Sequence, residues 1–227
     1  MMSSINSASA VAIFVKTPGL SPIKTRLAKT IGQAAAESAY RLCVKAIKAT
    51  VVQVDADAFC AVAEQGGLRD PLGQGLECVH TGPGCLGQRQ HQVYQRLLQR
   101  YQRVILIGSD SPQLTADRLH QAIETLKTEQ FVVGPALDGG YYLFAGKRPL
   151  SQEFWTNLTY SRSDTCKNLL AGLPAKAHLL SPITDLDTVE DLAQLHRELS
   201  ALGTALSPEQ QALLTWIECR ESYSSDS

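Results

Sequence analysis

The stretch Val11-Ala12-Ile13-Phe14-Val15, followed by Lys16-Thr17-Pro18-Gly19-Leu20 and Ser21-Pro22-Ile23-Lys24-Thr25-Arg26-Leu27, decides the fold. Five consecutive apolar residues read as a buried strand, and Pro18 with Gly19 marks a turn. Ser21-Pro22 then reads as a helix N-cap followed by proline at the first helical position. Lys24 and Arg26 therefore fall in the first helical turn, where the helix dipole repels cations and favours anions. An anionic ligand resolves that conflict. Strand, loop and helix would aim free backbone N–H groups, Lys24 and Arg26 at one point, the geometry of a phosphate site. A solvated helix start whose charges face water is the alternative.

Outward from this unit, apolar runs alternate with helical periodicity, the pattern of a mainly parallel, Rossmann-like sheet in a three-layer α/β/α fold. The first helix is predicted over Pro22–Val51, with Leu27, Ile31, Ala35, Ala39, Leu42, Ala46 and Ile47 on its core face. Strands are predicted at Ala58–Ala63, Leu76–His80, Val104–Gly108, Phe131–Pro135, Tyr141–Ala145 and near Ala177–Leu180. The Gly-rich segment Gln65–Gly75 reads as a surface loop. Helices are predicted at Leu86–Tyr101, Thr115–Lys127 with Thr115 as N-cap, near Ser163–Ala171, near Val189–Leu199 and at Pro208–Cys219. Residues 1–221 read as one domain, and 222–227 as a disordered tail.

A chain of 227 residues, 44% hydrophobic and 19% charged, suffices for one large globular domain. A formal charge of -1 gives no broad basic field, which argues against a nucleic-acid partner but leaves small anionic ligands open. Six cysteines form no CxxC pair and no zinc-type spacing with the five histidines. Reduced, buried thiols fit the cytosol, and no apolar run is long enough for a membrane span. A soluble cytoplasmic protein is expected.

Three further segments carry candidate chemistry. Ser109-Asp110-Ser111-Pro112 follows the most apolar strand, at the strand end where open α/β sheets bind ligands. Asp110 could cap the next helix, but Thr115 is better placed to do so. A carboxylate there can hold Mg²⁺ or Mn²⁺, which take one or two carboxylates and complete their shell with phosphate oxygens and water. Asp138-Gly139-Gly140-Tyr141-Tyr142 permits close backbone approach to a ligand, and taken alone reads as an Asp-Gly hairpin. The two tyrosines would point to opposite sides of a strand, one of them into the core. In Asp185-Leu186-Asp187, Asp187 reads as an N-cap with Glu190 completing a capping box. Asp185 has no such structural task, and in space it could join Asp110 as a second metal carboxylate.

The order of these segments, with Lys16-Thr17-Pro18, Lys24-Thr25-Arg26-Leu27, Leu86-Gly87-Gln88-Arg89, Gly108 to Pro112, Gly134-Pro135, Asp138 to Tyr142 and Asp185 to Thr188, resembles the DUF2064 family over about residues 10 to 200. That family belongs to the GT-A, nucleotide-diphospho-sugar transferase-like superfamily, and some members are labelled arsenosugar-biosynthesis glycosyltransferases. The resemblance implies that Lys16, Lys24, Thr25, Arg26 and Arg89 contact nucleotide phosphates. It implies metal binding by Asp110 with Asp185 or Asp187, catalytic roles for Asp110 and Asp138, and a substrate site bordered by Gly139, Gly140 and Tyr141. Three positions depart from the family pattern: Ser111 replaces the second Asp of a DxD motif, Gln88 stands where Glu is expected, and Tyr160-Ser161 replaces a Trp-Ser pair.

The implied activity is metal-dependent transfer of a glycosyl group from a nucleotide-sugar to a small-molecule acceptor. The first loop lacks the glycine density of sugar nucleotidyltransferases, which favours this over the alternative, nucleotidyl transfer from an NTP to a phosphorylated substrate. A non-catalytic nucleotide-binding protein is a third class, against which Asp110, Asp138 and Asp185 count.

Overall fold

The computed structural model describes residues 8–224. Seven strands, β1 (Ser9–Val15), β2 (Asp57–Val62), β3 (Glu77–His80), β4 (Arg103–Ile107), β5 (Phe131–Pro135), β6 (Tyr141–Gly146) and β7 (His178–Leu179), form one sheet in the order β3-β2-β1-β4-β6-β5-β7. All pairings are parallel except those of β6, which runs against both β4 and β5. β1, β4, β5 and β7 therefore end at the same edge of the sheet. This edge carries the loops to Lys24, Asp110, Asp138 and Asp185.

Strand alternation divides the apolar residues between two faces. Val11, Ile13, Ile105 and Ile107 face helix α2 (Gln33–Val51) and helix α4 (Ala116–Thr128). Ala10, Ala12, Leu106 and Phe144 face α3 (Leu86–Leu98), α5 (Gln152–Thr156) and α6 (Thr165–Gly172), where Trp155 packs edge-on to Phe144 at 5.0 Å between ring centroids. A third cluster joins α1 (Thr25–Ile31) and the outer side of α2 to α7 (Glu190–Ser200) and α8 (Pro208–Ser224). α2 therefore buries two stripes, Tyr40, Val44, Ile47 and Val51 toward the sheet and Ala36, Ala39 and Cys43 toward α8.

The predicted helix Pro22–Val51 is two helices, because Gly32 adopts φ 83° and breaks it. Beyond the break Ala39, Ala46 and Ile47 are buried as expected, whereas Ala35 and Leu42 are only partly so and Ala36 and Cys43 are buried in addition. Nor do Ser21 and Pro22 start the helix. The Ser21 hydroxyl bonds to the Glu64 carboxylate, and α1 begins after Lys24, which adopts the left-handed conformation at φ 47°, ψ 46°. The expected N-cap at Asp187 is also absent: Val189 precedes α7, and the Asp191 carboxylate accepts from the N–H groups of Asp187 and Thr188.

Thr115 does cap α4, accepting from Arg118 N. The Gly-rich segment contains two short 3-10 turns, Gln65–Arg69 and Pro71–Gly73, and α5 has too few residues to register as periodicity. Of the tail expected at 222–227, residues 222–224 continue α8, and 225–227 lie outside the described residues. Among the described residues no helix is long and apolar enough to cross a membrane. None of the six cysteines forms a disulfide.

Gly134 lies where β5 passes the buried Tyr142 ring, and a Cβ there would sit 2.3 Å from Tyr142 Cζ. Gly134→Ala is expected to lower stability by about 1 to 3 kcal/mol, the cost of overpacking a dense core. A denaturant midpoint equal to wild type would show that the ring moves aside freely.

Candidate functional site

Lys24 is the centre of the site. Its side chain is only 4% exposed, its ammonium lies 2.6 Å from Asp110 Oδ1, and it also donates to the Leu186 carbonyl. Leu186 N in turn donates to Asp110 O at 2.8 Å, so the loop after β4 and the segment before α7 are joined directly. Asp185, next to Leu186, accepts from Ser111 Oγ at 3.2 Å. The fold thus brings Lys24, Asp110 and Asp185 together from three separate parts of the chain. Burial and then the Asp110 charge push the Asp185 carboxyl up to about 7, against the opposing pull of Lys24. Burial alone would depress the Lys24 ammonium, but Asp110 and Asp185 outweigh it and hold it above its ordinary value. Beside them Cys43 stays a neutral thiol, pushed up to about 12 chiefly by burial.

Once both carboxyls are ionised, two carboxylates facing one ammonium leave the centre with surplus negative charge. Hard oxygen ligands and that surplus suit Mg²⁺ or Mn²⁺ completed by phosphate oxygens and water, so Asp110 and Asp185 fit a divalent cation. Asp187 does not join them. Its carboxylate pairs with Arg26 at 2.8 Å on the surface, both side chains being well exposed. Among the described residues no group of three His, Cys, Asp or Glu side chains gathers into a metal cluster. The pair would depend on ligand oxygens to complete a shell.

The remaining sequence-predicted residues take varied positions. Lys16 has an exposed side chain, while its backbone N–H and C=O are both bonded to the Tyr40 hydroxyl, at 2.8 and 2.9 Å. Thr17 N donates to Glu64 Oε2 at 2.7 Å. These two N–H groups, expected to point at a ligand, are instead used to shape the loop. Thr25 is exposed at the start of α1. Arg89 holds the carbonyls of Gly84 and Ala63 at 3.0 and 2.9 Å, bracing the ends of β2 and the β3–α3 loop. Gln88 accepts from Cys85 N and completes the capping of α3, a structural use for the position where Glu was expected.

Asp138 to Gly140 form a tight β5–β6 hairpin. Asp138 is exposed, and its Oδ1 accepts from Gly140 N at 2.8 Å. Leu137 N donates to Ile183 O, which ties the hairpin to the Asp185 segment, and Asp138 adds to the field that raises Asp185. Gly139 adopts φ 90°, and a Cβ on it would meet Ser163 O at 2.0 Å, so glycine here serves backbone packing. Tyr142 is the core tyrosine, and Tyr141 donates to Gln90 Oε1, to which Tyr160 also donates.

Sequence reasoning missed the polar frame that holds these loops. Glu198 accepts from Gln113 Nε2, Thr184 N, Thr184 Oγ1 and Gln194 Nε2 at 2.7 to 3.1 Å. Gln210 Nε2 donates to Pro112 O and Leu114 O, and Thr50 Oγ1 also donates to Leu114 O. Nothing local marks Glu198 or Gln210, which read as ordinary polar helix positions. Glu64 had one signal, an acidic residue just past the end of β2.

Residues 33–162, more than half the chain, match the family described as an uncharacterized protein conserved in bacteria (DUF2064). No curated protein matches the chain. A candidate nucleotide-diphospho-sugar transferase from Desulfovibrio desulfuricans G20 is similar in structure at a TM-score of 0.81 and 26% identity, covering 93% of this chain and 97% of that one. The 4-diphosphocytidyl-2C-methyl-D-erythritol synthase of Anaerococcus prevotii DSM 20548 is similar at 0.54 and 11% identity, covering 86% and 99%. A cytidylyltransferase from Leptospira borgpetersenii is similar at 0.52 and 13%, covering 95% and 96%. The last two likenesses are of fold. The three-layer architecture with its mainly parallel sheet is that of the nucleotide-diphospho-sugar transferases.

Hydrogen bonds to Glu198 outweigh its burial and hold its carboxyl below the ordinary 4.5. A group depressed in the folded state contributes stability above its unfolded value, lost as pH falls through the folded one. Glu198→Gln is therefore expected to cost about 1 to 2 kcal/mol at neutral pH, in keeping with lost charge-assisted bonds. The gap from wild type should close below roughly pH 4. A gap unchanged between pH 7 and pH 3 in urea titrations would remove Glu198 as a charged brace.

Proposed function

The chain belongs to the DUF2064 family, and on that premise we propose that it is a metal-dependent transferase that binds a nucleotide diphosphate-sugar and passes the glycosyl group to a small-molecule acceptor. One observation carries this reading. Lys24, Asp110 and Asp185 meet at the carboxyl edge of the sheet, where open α/β folds bind nucleotides. The likeness to the Desulfovibrio protein, over nearly the whole of both chains, supports the same class. The reading takes the chain as one domain, with α2 joining the sheet to the α7–α8 layer.

In this reading Lys24 and Arg26 bind the diphosphate, Arg26 exchanging its surface partner Asp187 for phosphate. Such exchange is cheap, because an exposed ion pair contributes roughly 0 to 1 kcal/mol. Asp110 and Asp185 would hold a divalent cation, which supplies electrostatic stabilisation of charge on the departing diphosphate. The acceptor oxygen bonds to the anomeric carbon, the bond from that carbon to the diphosphate oxygen breaks, and the acceptor proton passes to Asp138. The Gly140 N–H fixes one Asp138 oxygen and so orients the carboxylate.

The bond broken sets the test. With Mn²⁺ and no acceptor, the protein is expected to hydrolyse a suitable NDP-sugar slowly to NDP and free sugar, water replacing the acceptor. Pyrophosphate should not form. Asp138→Asn should reduce transfer by about 10² or more, the range for general-base catalysis, with little change in donor affinity. Arg26→Ala should weaken donor binding about tenfold while leaving the melting temperature unchanged. Pyrophosphate release from an NTP and a phosphorylated metabolite, with every NDP-sugar inert, would replace glycosyl by nucleotidyl transfer.

A further inference from the structure

We propose that the Lys24 ammonium is the resident counter-cation of the Asp110 and Asp185 pair, and that it must leave Asp110 for the phosphate of an arriving nucleotide before the pair accepts a divalent cation. The inference rests on the nucleotide-site reading and adds an order of events to it. Lys24 touches Asp110 Oδ1 at 2.6 Å and the Leu186 carbonyl, two oxygens of the kind that a hard cation takes. Its side chain is 4% exposed and lies at the junction of the two loops that carry the carboxylates. A divalent cation at the pair would meet the like charge of Lys24 at close range with little water between, where repulsion is strong.

The lysine is built to move. A compact charge on a flexible four-carbon stem can change partners without backbone rearrangement. The backbone at Lys24 is already in the left-handed region, uncommon for a residue with a side chain, which aims that stem inward from the start of α1. Arg26, two residues on, stays exposed and paired only at the surface, so it can meet a phosphate first. Nucleotide and metal binding are thereby coupled: phosphate draws Lys24 away, and both Asp110 and the Leu186 carbonyl become available.

Mn²⁺ titration of the full chain, followed by the electron paramagnetic resonance signal of free Mn²⁺ and without nucleotide, tests this. Lys24→Met should bind Mn²⁺ about tenfold or more tightly than wild type, the equivalent of one charge-assisted bond no longer competing. Lys24→Arg should match wild type within roughly threefold, since its cation is retained. Adding Asp110→Asn to Lys24→Met should abolish the gain. If Lys24→Met lacks the wild-type circular dichroism spectrum, Lys24→Gln, which keeps a donor but no charge, takes its place with the same expectation. A folded charge-free variant that binds Mn²⁺ no better than wild type overturns the inference. In wild type, ADP, GDP or UDP should tighten Mn²⁺ binding about tenfold, and Mn²⁺ should tighten the same nucleotide equally. Independent binding of the two also overturns it. Failure of every nucleotide to bind, with the Lys24→Met gain intact, would overturn the nucleotide reading and leave the counter-cation standing.

Discussion

One buried cation organises this molecule. An ammonium withdrawn from water is tolerated only with partners at hydrogen-bond distance, and Lys24 finds them on two elements far from it in sequence, Asp110 and the Leu186 carbonyl. That need explains the position of α1, whose first residue follows a left-handed Lys24. It also explains why the loop after β4 and the segment before α7 meet through Leu186 N and Asp110 O. Removing one partner of such a pair typically costs about 3 to 5 kcal/mol. Asp110 is 36% exposed, so water would soften that figure here.

Around this centre the fold spends its buried polar groups on holding loops still. Glu198 and Gln113 fasten Thr184 to the β4 loop, Gln210 and Thr50 fasten Pro112 and Leu114, and Tyr40 with Glu64 shapes residues 16 to 21. Tyr40, Thr50, Glu198 and Gln210 act from helices, Gln113 from the β4–α4 loop and Glu64 from just past β2, so the charges are placed through short hydrogen-bonded spans. Preorganised charge of this kind stabilises a developing anion without rearrangement at the moment of reaction. Ser111 contributes in a particular way. An aspartate there would add a third carboxylate to a centre already short of positive charge, whereas its hydroxyl donates to Asp185.

Much of this was legible in the residue pattern. The alternation of apolar runs and helical periodicity marked all seven strands within about two residues, the central ones most clearly because strands buried on both faces admit mainly apolar side chains. The placing of Lys24 and Asp110 at one sheet edge followed from the strand ends. What escaped depended on partners remote in sequence. Ser21-Pro22 has the composition of a helix start, yet Glu64 takes the serine hydroxyl and the helix begins later. Asp187 has the composition of a cap, yet α7 starts two residues later with no side-chain cap, Asp191 reaches back to the Asp187 N–H, and the Asp187 carboxylate pairs with Arg26. Gly32 was a visible breaker inside a helical run, but a single glycine costs only about 1 kcal/mol there, and tertiary packing decides whether the helix continues.

The two halves of the site differ in character, and the difference suits the roles proposed for each. Lys24, Asp110 and Asp185 sit in a low-dielectric junction, where charge acts strongly and its balance must be controlled. Asp138, Leu137 and the Arg162–Asp164 pair are exposed, on a hairpin and on the segment leading into α6, whose Cys166 N donates to Gly139 O. In the proposed reading the buried half serves the diphosphate, whose charge acts more strongly where water is scarce, with the exposed Arg26 at its rim. The same reading gives the open hairpin to the acceptor, which could enter and leave there without disturbing the charged centre. The bond from Leu137 N to Ile183 O links the halves, so Asp138 on the exposed side is held in register with the carboxylates on the buried one. The antiparallel β6 makes this possible: by returning against β5 it turns a strand end into a hairpin tip and sets Asp138 beside, but outside, the charged junction.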